Sequence, residues 1–495
     1  MRGTATILLC WLALGLLVSV TSVWSDAFSR TRSERVEVAL DAAIHIHTQY
    51  STGSDDLAEV VDDARQLGID VVVITDDDLL EVSYGLPPWR HLLRMERSYR
   101  SLLGSDTLTD YLAEIRRLDE LHDDIIVIDG VESAPFYHWD IDPLARRATV
   151  RSWNKHLLAV GLDNAAAYRQ LPILGGEGNW LAGRRWFLLW PIAGLLWAVL
   201  SARLHRRVRW VVLVICCLFL GDSVLTGLRQ ARFHPYDSSQ ESSAFDAYFD
   251  AVHRSGGLSY WAHPEAASTI PPVQALGGLA MVASETAPHA QDLLSTSGYT
   301  GFAALYADHI TATEAGHEWD QALGAYLRGE RHRPVWGTGE IDYHENVEGN
   351  RLHDILTVVW VPTPSRTHVL ESLRRGRHYA VRGGDERLRL RRFEALSDDG
   401  AATSGQQLST VGESRILVEL DKLNGSEEFT DIRLIRGDAS GAQVVAHINA
   451  TTPVQLFHVD FVDEKTRSRY YRLMARTRTS MLTSNPIFIQ GPSSR

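Results

Sequence analysis

Hydrophobic and polar positions follow three different patterns along this chain. From Val36 to Asp78 the pattern is a strand (VEVALDAAIHIH), an amphipathic helix with Leu57, Val60, Val61, Ala64 and Leu67 on one face, and a β-branched strand, VVVIT (71–75). That order predicts a βαβ unit and a parallel sheet or barrel. Similar apolar strands are expected at IIVID (125–129), HLLAVGL (156–162), LSYWAH (258–263), LAMVASE (279–285) and RPVWGTG (333–339), with helical stretches between several of them. His, Asp or Glu recurs at five strand ends, as expected of a barrel with its site at the C-terminal rim.

After about residue 385 the spacing shortens. RILVELDKL (415–423), DIRLIRG (431–437), AQVVAHI (442–448), VQLFHVDFV (454–462), RYYRLMA (469–475) and NPIFIQ (485–490) predict a small antiparallel β-sandwich. DDGAATSGQQ (398–407) reads as its linker or first loop.

The third pattern is uninterrupted apolar sequence. Ile7–Val20 and the small residue at 25 read as a signal peptide or an uncleaved signal anchor over residues 1–25. Trp186–Ser201 is 16 residues, slightly short of the ~20 a membrane span needs, and Trp210–Leu228 carries Asp222 near its end. Between them lies RLHRRVR. A Trp-rich start and an Arg-rich turn predict a transmembrane helical hairpin over 184–230. The arginine turn is expected in the cytoplasm, which places the catalytic part on the extracytoplasmic side of a membrane. Arg30, Arg32, Arg35, Arg184, Arg185, Arg229 and Arg232 then lie outside against the charge rule, which a long translocated domain tolerates. Two spans return the chain to the side it left, so residues 36–183 and 231–384 can share one site.

Composition narrows the chemistry. The 495 residues suggest about three units, and 45% hydrophobic with 22% charged residues exclude a mostly disordered chain. With 49 basic against 62 acidic residues the net charge is −13, which argues against nucleic acid as a partner. Cys10, Cys216 and Cys217 all lie in apolar runs, so neither a disulfide framework nor a Cys-based zinc site is available. Histidine is plentiful at 20, and a His/Asp/Glu donor set suits zinc, manganese or iron.

His45-Ile46-His47 places two imidazoles two apart at a strand end, where period-2 geometry sends both to one side. Thr75-Asp76-Asp77-Asp78, Gly130-Val131-Glu132, His156, Ala262-His263-Pro264 and Asp342-Tyr343-His344 follow at other strand ends. So many ionisable groups, once buried, must be paired or bind metal. Glu285 reads equally as a substrate-facing group or an ion-pair partner. Arg375 and Arg377 are a further candidate phosphate contact.

Taken in order, HxHTxxSxG, ITDxD, GxE, HLL, AHP and DxH resemble the PHP (polymerase and histidinol phosphatase) superfamily over roughly residues 38–382. RGRHYAVRGG (375–384 region) and the closing SNPIFIQ resemble its CehA/McbA-type membrane-associated branch. The resemblance implies an α/β fold: a distorted (βα)7 barrel interrupted by the hairpin and followed by a small all-β sandwich over 385–495. It also implies two or three divalent ions. His45, His47, Glu132 and Asp342 would hold the first, and Glu132 would bridge to a second held by His156 and His263. His344 and Asp77 would belong to a third. Glu132 and Asp342 are the implied catalytic carboxylates, acting through a metal-bridged hydroxide on a small-molecule ester or phosphoester. Two departures fall on the third ion: Asp77 stands where the family shows His, and Thr52 where it often shows Asp.

The function expected is therefore a membrane-associated metal-dependent hydrolase, in first place a phosphoesterase. The alternative is a non-catalytic membrane module whose degraded metal site binds a ligand or partner. An amidohydrolase would need a bridging lysine, for which Lys155 is the candidate, and Glu132 fits the bridge better.

Overall fold

In the computed structural model of the chain, residues 37–162, 164–175, 189–201, 205–228, 233–275, 280–463 and 468–491 are described. The apolar run Ile7–Val20 and the flanking arginines 30, 32, 35, 184, 185, 229 and 232 lie outside these residues. Ala39–Arg495 forms one compact unit.

The chain builds β1 (Val38–Ile46), β2 (Val71–Ile74), β3 (Glu81–Gly85), β4 (Arg94–Ser98), β5 (Ile126–Ser133), β6 (His138–Asp142), β7 (Arg147–Arg151) and β8 (Leu157–Val160). It continues through β9 (Leu258–Trp261), β10 (Ser268–Ala275), β11 (Ala280–Thr286), β12 (Gly301–Leu305), β13 (Trp336–Gly339), β14 (Ile355–Val361) and β15 (His378–Arg382). The central sheet runs β13-β12-β9-β8-β5-β2-β1-β14-β15. It curls so that its first strand meets β14, where Gly339 N donates to Thr357 Oγ1 at 2.9 Å. The result is a mixed α/β fold with large sheets.

The expected βαβ start is present. Helix Leu57–Gln66 opens with a capping box, Asp56 accepting from Ala58 N while Glu59 accepts from Asp56 N, and it buries Leu57, Val60, Val61 and Ala64. β2 runs parallel to β1 and β5. The wholly parallel arrangement stops there, because β8 runs antiparallel to both β5 and β9. The hairpin β6–β7 intervenes between β5 and β8 and returns the chain at the same end of the sheet, so no crossover reverses it. The beginning of β8 thus lies at the rim where β5 ends.

A bulge falls at His45. The β1–β2 register shifts between Ile44 and Ile46, and His45 takes φ 74°. Leu40, Ala42 and Ile44 enter one apolar cluster with Val71, Val73 and Leu258, whereas Ala43 and Ile46 enter another with Leu57 and Val60. His45 and His47 do converge on one donor group, as the period-2 expectation has it, but an inserted residue rather than regular alternation sets their directions.

The C-terminal strands are β16 (Leu388–Ser397), β17 (Gly400–Thr403), β18 (Gln407–Ser409), β19 (Gly412–Lys422), β20 (Phe429–Asp438), β21 (Gly441–Thr451), β22 (Val454–Val462), β23 (Arg469–Arg476), β24 (Met481–Ser484) and β25 (Ile487–Gln490). One sheet is β17-β16-β19-β22. The other, β24-β23-β20-β21, continues the central sheet through antiparallel pairing of β15 with β24. Both faces contribute to one apolar cluster, with Leu390, Ile416 and Val418 from the first and Ile432, Leu434 and Leu473 from the second.

The paired-span expectation is met only in part among the described residues. Helix Pro191–Leu200 has 10 residues and starts with Pro in its first turn, where the missing N–H costs no bond. At 1.5 Å per residue it covers about 15 Å, half of a ~30 Å hydrocarbon layer. Helix Arg206–Leu228 has a 20-residue apolar stretch, Arg206–Leu225, of mean hydropathy 2.1 that is 11% buried. Among the described residues it is the one helix long and apolar enough to cross a membrane.

Candidate metal centre

The ionisable residues at the strand ends meet at one rim. His45 lies at the end of β1 and His47 just after it, Glu132 is the next-to-last residue of β5, His156 immediately precedes the reversed β8, and His263 follows β9 by two residues. Asp342 and His344 come just after β13, held against β1 by Tyr343 N donating to His45 O at 2.9 Å and His47 N donating to Tyr343 O at 2.8 Å. His156 precedes the two apolar helices in sequence and His263 follows them, so the helix pair is an excursion from one continuous rim.

Two donor groups share Glu132. His45, His47, Glu132 and Asp342 offer ligand atoms within 4.8 Å of one another, and so do Glu132, His156 and His263. Glu132 Oε1 stands 3.1 Å from His45 Nε2, 2.9 Å from His156 Nδ1 and 3.3 Å from His263 Nε2, while its Oε2 stands 3.1 Å from His47 Nε2. Asp342 Oδ1 lies 3.2 Å from His45 Nε2 and 3.3 Å from His47 Nε2. His45 and His47 are fully buried, yet their Nε2 atoms make no hydrogen bond of acceptable geometry. Buried nitrogens that converge on two carboxylates without bonding them fit a divalent cation.

Outer contacts orient these donors. His45 Nδ1 lies 3.3 Å from Glu340 Oε2, and Glu340 Oε1 in turn accepts from Thr338 Oγ1 at 2.8 Å. Tyr306 OH donates to Asp342 Oδ2 at 3.0 Å. Carboxylates behind a ligating imidazole fix its tautomer and raise its basicity. Backbone strain collects here too: His45, His263 and Asp342 take φ of 74°, 33° and 52°, a region that side chains with a Cβ seldom occupy.

Charge is balanced inside the cluster. Burial pushes the His45 imidazole down, but the Glu132 and Asp342 carboxylates outweigh it and hold the ring up at about 10. His47 is likewise raised against its burial, chiefly by Asp77. Burial acts upward on Glu132, and the surrounding imidazoles, His156 and His45 first, carry it well below the usual carboxylate range. Asp342 follows the same pattern, with His45 the main cause after burial.

Asp77 and His344 fall outside both donor groups among the described residues. Asp77 Oδ2 faces His47 Nδ1 at 3.4 Å and accepts from Thr52 Oγ1 at 2.8 Å. His344 stacks on His47, with centroids 4.3 Å apart and planes at 4°, and its Nε2 lies 3.2 Å from Asp342 Oδ1. It is the most open imidazole of the set, its side chain 42% exposed. Glu285 pairs with Arg151 at 2.7 Å, and Arg375 pairs with Glu371. Sequence reasoning missed Glu340 and Tyr306. Glu340 sits two residues before Asp342 in a glycine-rich strand end, a position that same-face spacing could have flagged, whereas nothing local marks Tyr306.

No protein-family model matches the chain, and no curated protein matches it either. Among solved structures it is similar to a two-domain protein from Bacteroides vulgatus ATCC 8482 containing a predicted PHP-like metal-dependent phosphoesterase. That match has 11% identity, 88% of this chain and 90% of the other covered, and a TM-score of 0.34. It is also similar to a candidate metal-dependent phosphoesterase from Bifidobacterium adolescentis ATCC 15703, at 16% identity, 61% and 87% coverage, and a TM-score of 0.27. At these identities and scores neither likeness carries an argument about chemistry.

Proposed function

We propose that the chain is a metal-dependent phosphoesterase of the PHP kind, associated with a membrane. One observation carries the catalytic reading: a single buried carboxylate, Glu132, joins two donor groups built from four imidazoles and Asp342. His45, His47, Glu132 and Asp342 would hold one divalent ion and Glu132, His156 and His263 a second, with zinc, manganese or iron suited to the donors. When bound, such ions polarise a phosphoryl oxygen and acidify water. Glu132 keeps its proton off because four imidazoles surround it, so it remains a double acceptor at neutral pH. Glu340 and Tyr306 hold His45 and Asp342 in place. His344, open to solvent at the mouth with its Nε2 3.2 Å from Asp342 Oδ1, would with Asp77 belong to a third ion. The likeness to the CehA/McbA-type branch, and the barrel description it brings, rest on the motif order and the C-terminal strands alone.

Membrane association rests on helix Arg206–Leu228. A core helix of a folded domain is mostly buried, and this one is 11% buried over its apolar stretch. Arg206, Arg207 and Arg209 at its start favour a cytoplasmic turn, with the metal centre on the other face.

Elemental analysis of the detergent-purified full chain tests the metal centre, alongside turnover of phosphomonoesters and phosphodiesters. About two ions per chain in the wild type, falling with turnover in Glu132→Ala, supports the enzyme. A third ion lost in His344→Ala would assign His344 as a ligand. A wild type that stays empty after zinc, manganese and iron are supplied favours the non-catalytic binding module.

A further inference from the structure

The hairpin β3–β4 leaves the rim directly after Asp77 and Asp78 and reaches the apolar helix Arg206–Leu228. Its turn is fastened there. Asp222, an acid within the apolar sequence, accepts from His91 N at 2.7 Å and from Leu92 N at 2.9 Å. Trp89 packs on Phe219 at 5.7 Å, and Trp190 meets the same ring at 5.5 Å. Leu86, Leu92 and Leu93 stay exposed on this turn. Asp222 is three residues from Leu225, about 4–5 Å along the axis, so the turn stands where the apolar stretch of the helix ends. In a bilayer that depth is the boundary between hydrocarbon and headgroups, the level that tryptophan prefers.

Beside the turn is an open pocket of about 530 Å³, counted out to its mouth, between the hairpin and residues 233–236. Arg90, His91, Arg94 and His234 contribute its basic lining, with Tyr137 and Tyr236 among the remaining walls. The Arg90 guanidinium lies 3.6 Å from the Tyr236 ring centroid and donates to Gly85 O at 3.2 Å. Arg94 is neutralised by Glu81 and Glu96. Arg90, by contrast, meets no carboxylate among the described residues, so the pocket keeps an uncompensated cation next to an apolar lip.

We propose that this pocket binds the phosphate headgroup of an anionic phospholipid, with its acyl chains against Leu86, Leu92 and Leu93 and the flank of the helix. The inference rests on the membrane reading given above. A planar guanidinium already oriented by an aromatic face matches a phosphate, and a cation at a membrane boundary selects anionic over zwitterionic lipid. A soluble anion would gain nothing from the three exposed leucines.

The test uses the full-length chain. It is first floated with phosphatidylcholine vesicles, then titrated in mixed micelles with phosphatidylglycerol, phosphatidylcholine or inorganic phosphate while tryptophan fluorescence is followed. The chain should float, and should bind phosphatidylglycerol about tenfold more tightly than phosphatidylcholine. Arg90→Ala should abolish that margin and Arg90→Lys should restore part of it. Unfolding temperatures measured without lipid separate loss of the pocket from loss of the fold, and Arg90→Lys carries the test if Arg90→Ala does not fold. Equal affinity for the two lipids in the wild type overturns the proposal, as does inorganic phosphate competing as well as the lipid. A chain that floats without preferring phosphatidylglycerol removes the headgroup site alone; one that fails to float removes the membrane reading with it.

Discussion

Thr52 Oγ1 donates to Asp77 Oδ2 at 2.8 Å, and the same carboxylate oxygen stands 3.4 Å from His47 Nδ1. The two residues that depart from the PHP pattern are therefore partners of each other. Together they press on the outer nitrogen of His47, leaving its Nε2 to face Glu132 and Asp342. Asp77 in this arrangement contacts His47 and lies in neither donor group among the described residues.

Asp77→Ala should then weaken metal retention about 10–100-fold, the usual cost of removing an outer partner of a ligating histidine, while stoichiometry at saturating metal stays the same. Metal titration monitored by calorimetry decides the point. Loss of one whole ion per chain would instead make Asp77 a ligand.

Glu340 makes a parallel case on the other histidine. Glu340→Gln keeps the shape but removes the charge behind His45 Nδ1, so affinity should drop about 10–100-fold with an unchanged circular dichroism spectrum. Equal affinity in the variant would show that burial alone orients His45.

A stability prediction lies away from the rim. Arg472 of β23 is fully buried and pairs with Asp320 of helix Glu318–Leu327 at 2.7 and 2.8 Å, with Tyr470 OH also donating to Asp320 at 2.7 Å. Arg472→Met strands a buried carboxylate and should cost about 3–5 kcal/mol, whereas Arg472→Met with Asp320→Leu should recover much of it. Denaturant unfolding of the three proteins measures both effects.

The acid limb of stability should carry a contribution from His378. Burial pushes this β15 imidazole down to about 4, against roughly 6.5 in an unfolded chain. Between those values the unfolded chain binds the extra proton. The stabilising contribution is therefore complete above about pH 6.5 and falls as pH drops toward 4, by at most about 3 kcal/mol. His378→Leu should flatten the loss of stability measured between pH 7 and pH 4.5, and an unchanged slope would refute the assignment.

Much of the candidate site was legible because its donors sit at strand ends, and strand ends can be read from β-branched runs followed by polar residues. His45, His47, Glu132, His156, His263 and Asp342 all come from such places, and the structure brings them together. What stayed hidden depends on pairing between distant segments. The bulge at His45 exists only against β2, and the reversal of β8 only against β5 and β9. Tyr306 reaches Asp342 from another strand end, so no local spacing reports it. The continuity of the central sheet through β15 and β24 is likewise invisible where short strands and turns alternate. For the apolar helices, hydropathy located both runs.

The sharing of Glu132 between His156 and His263 has a consequence for how the molecule is made. Its donors are contributed by segments from β1 to Asp342, three residues after β13, with two apolar helices inserted midway. Neither group is complete until Asp342 and His263 have been synthesised, and both must fold back across those helices to reach carboxylates and imidazoles made long before. Such long sequence separations slow folding, because the loop entropy is lost before the contact is gained. A nascent chain therefore carries its apolar helices past the ribosome while the rim is still unassembled. Any truncation before Asp342 removes one of the two carboxylates on which His45 and His47 converge and leaves Glu132 alone to face them.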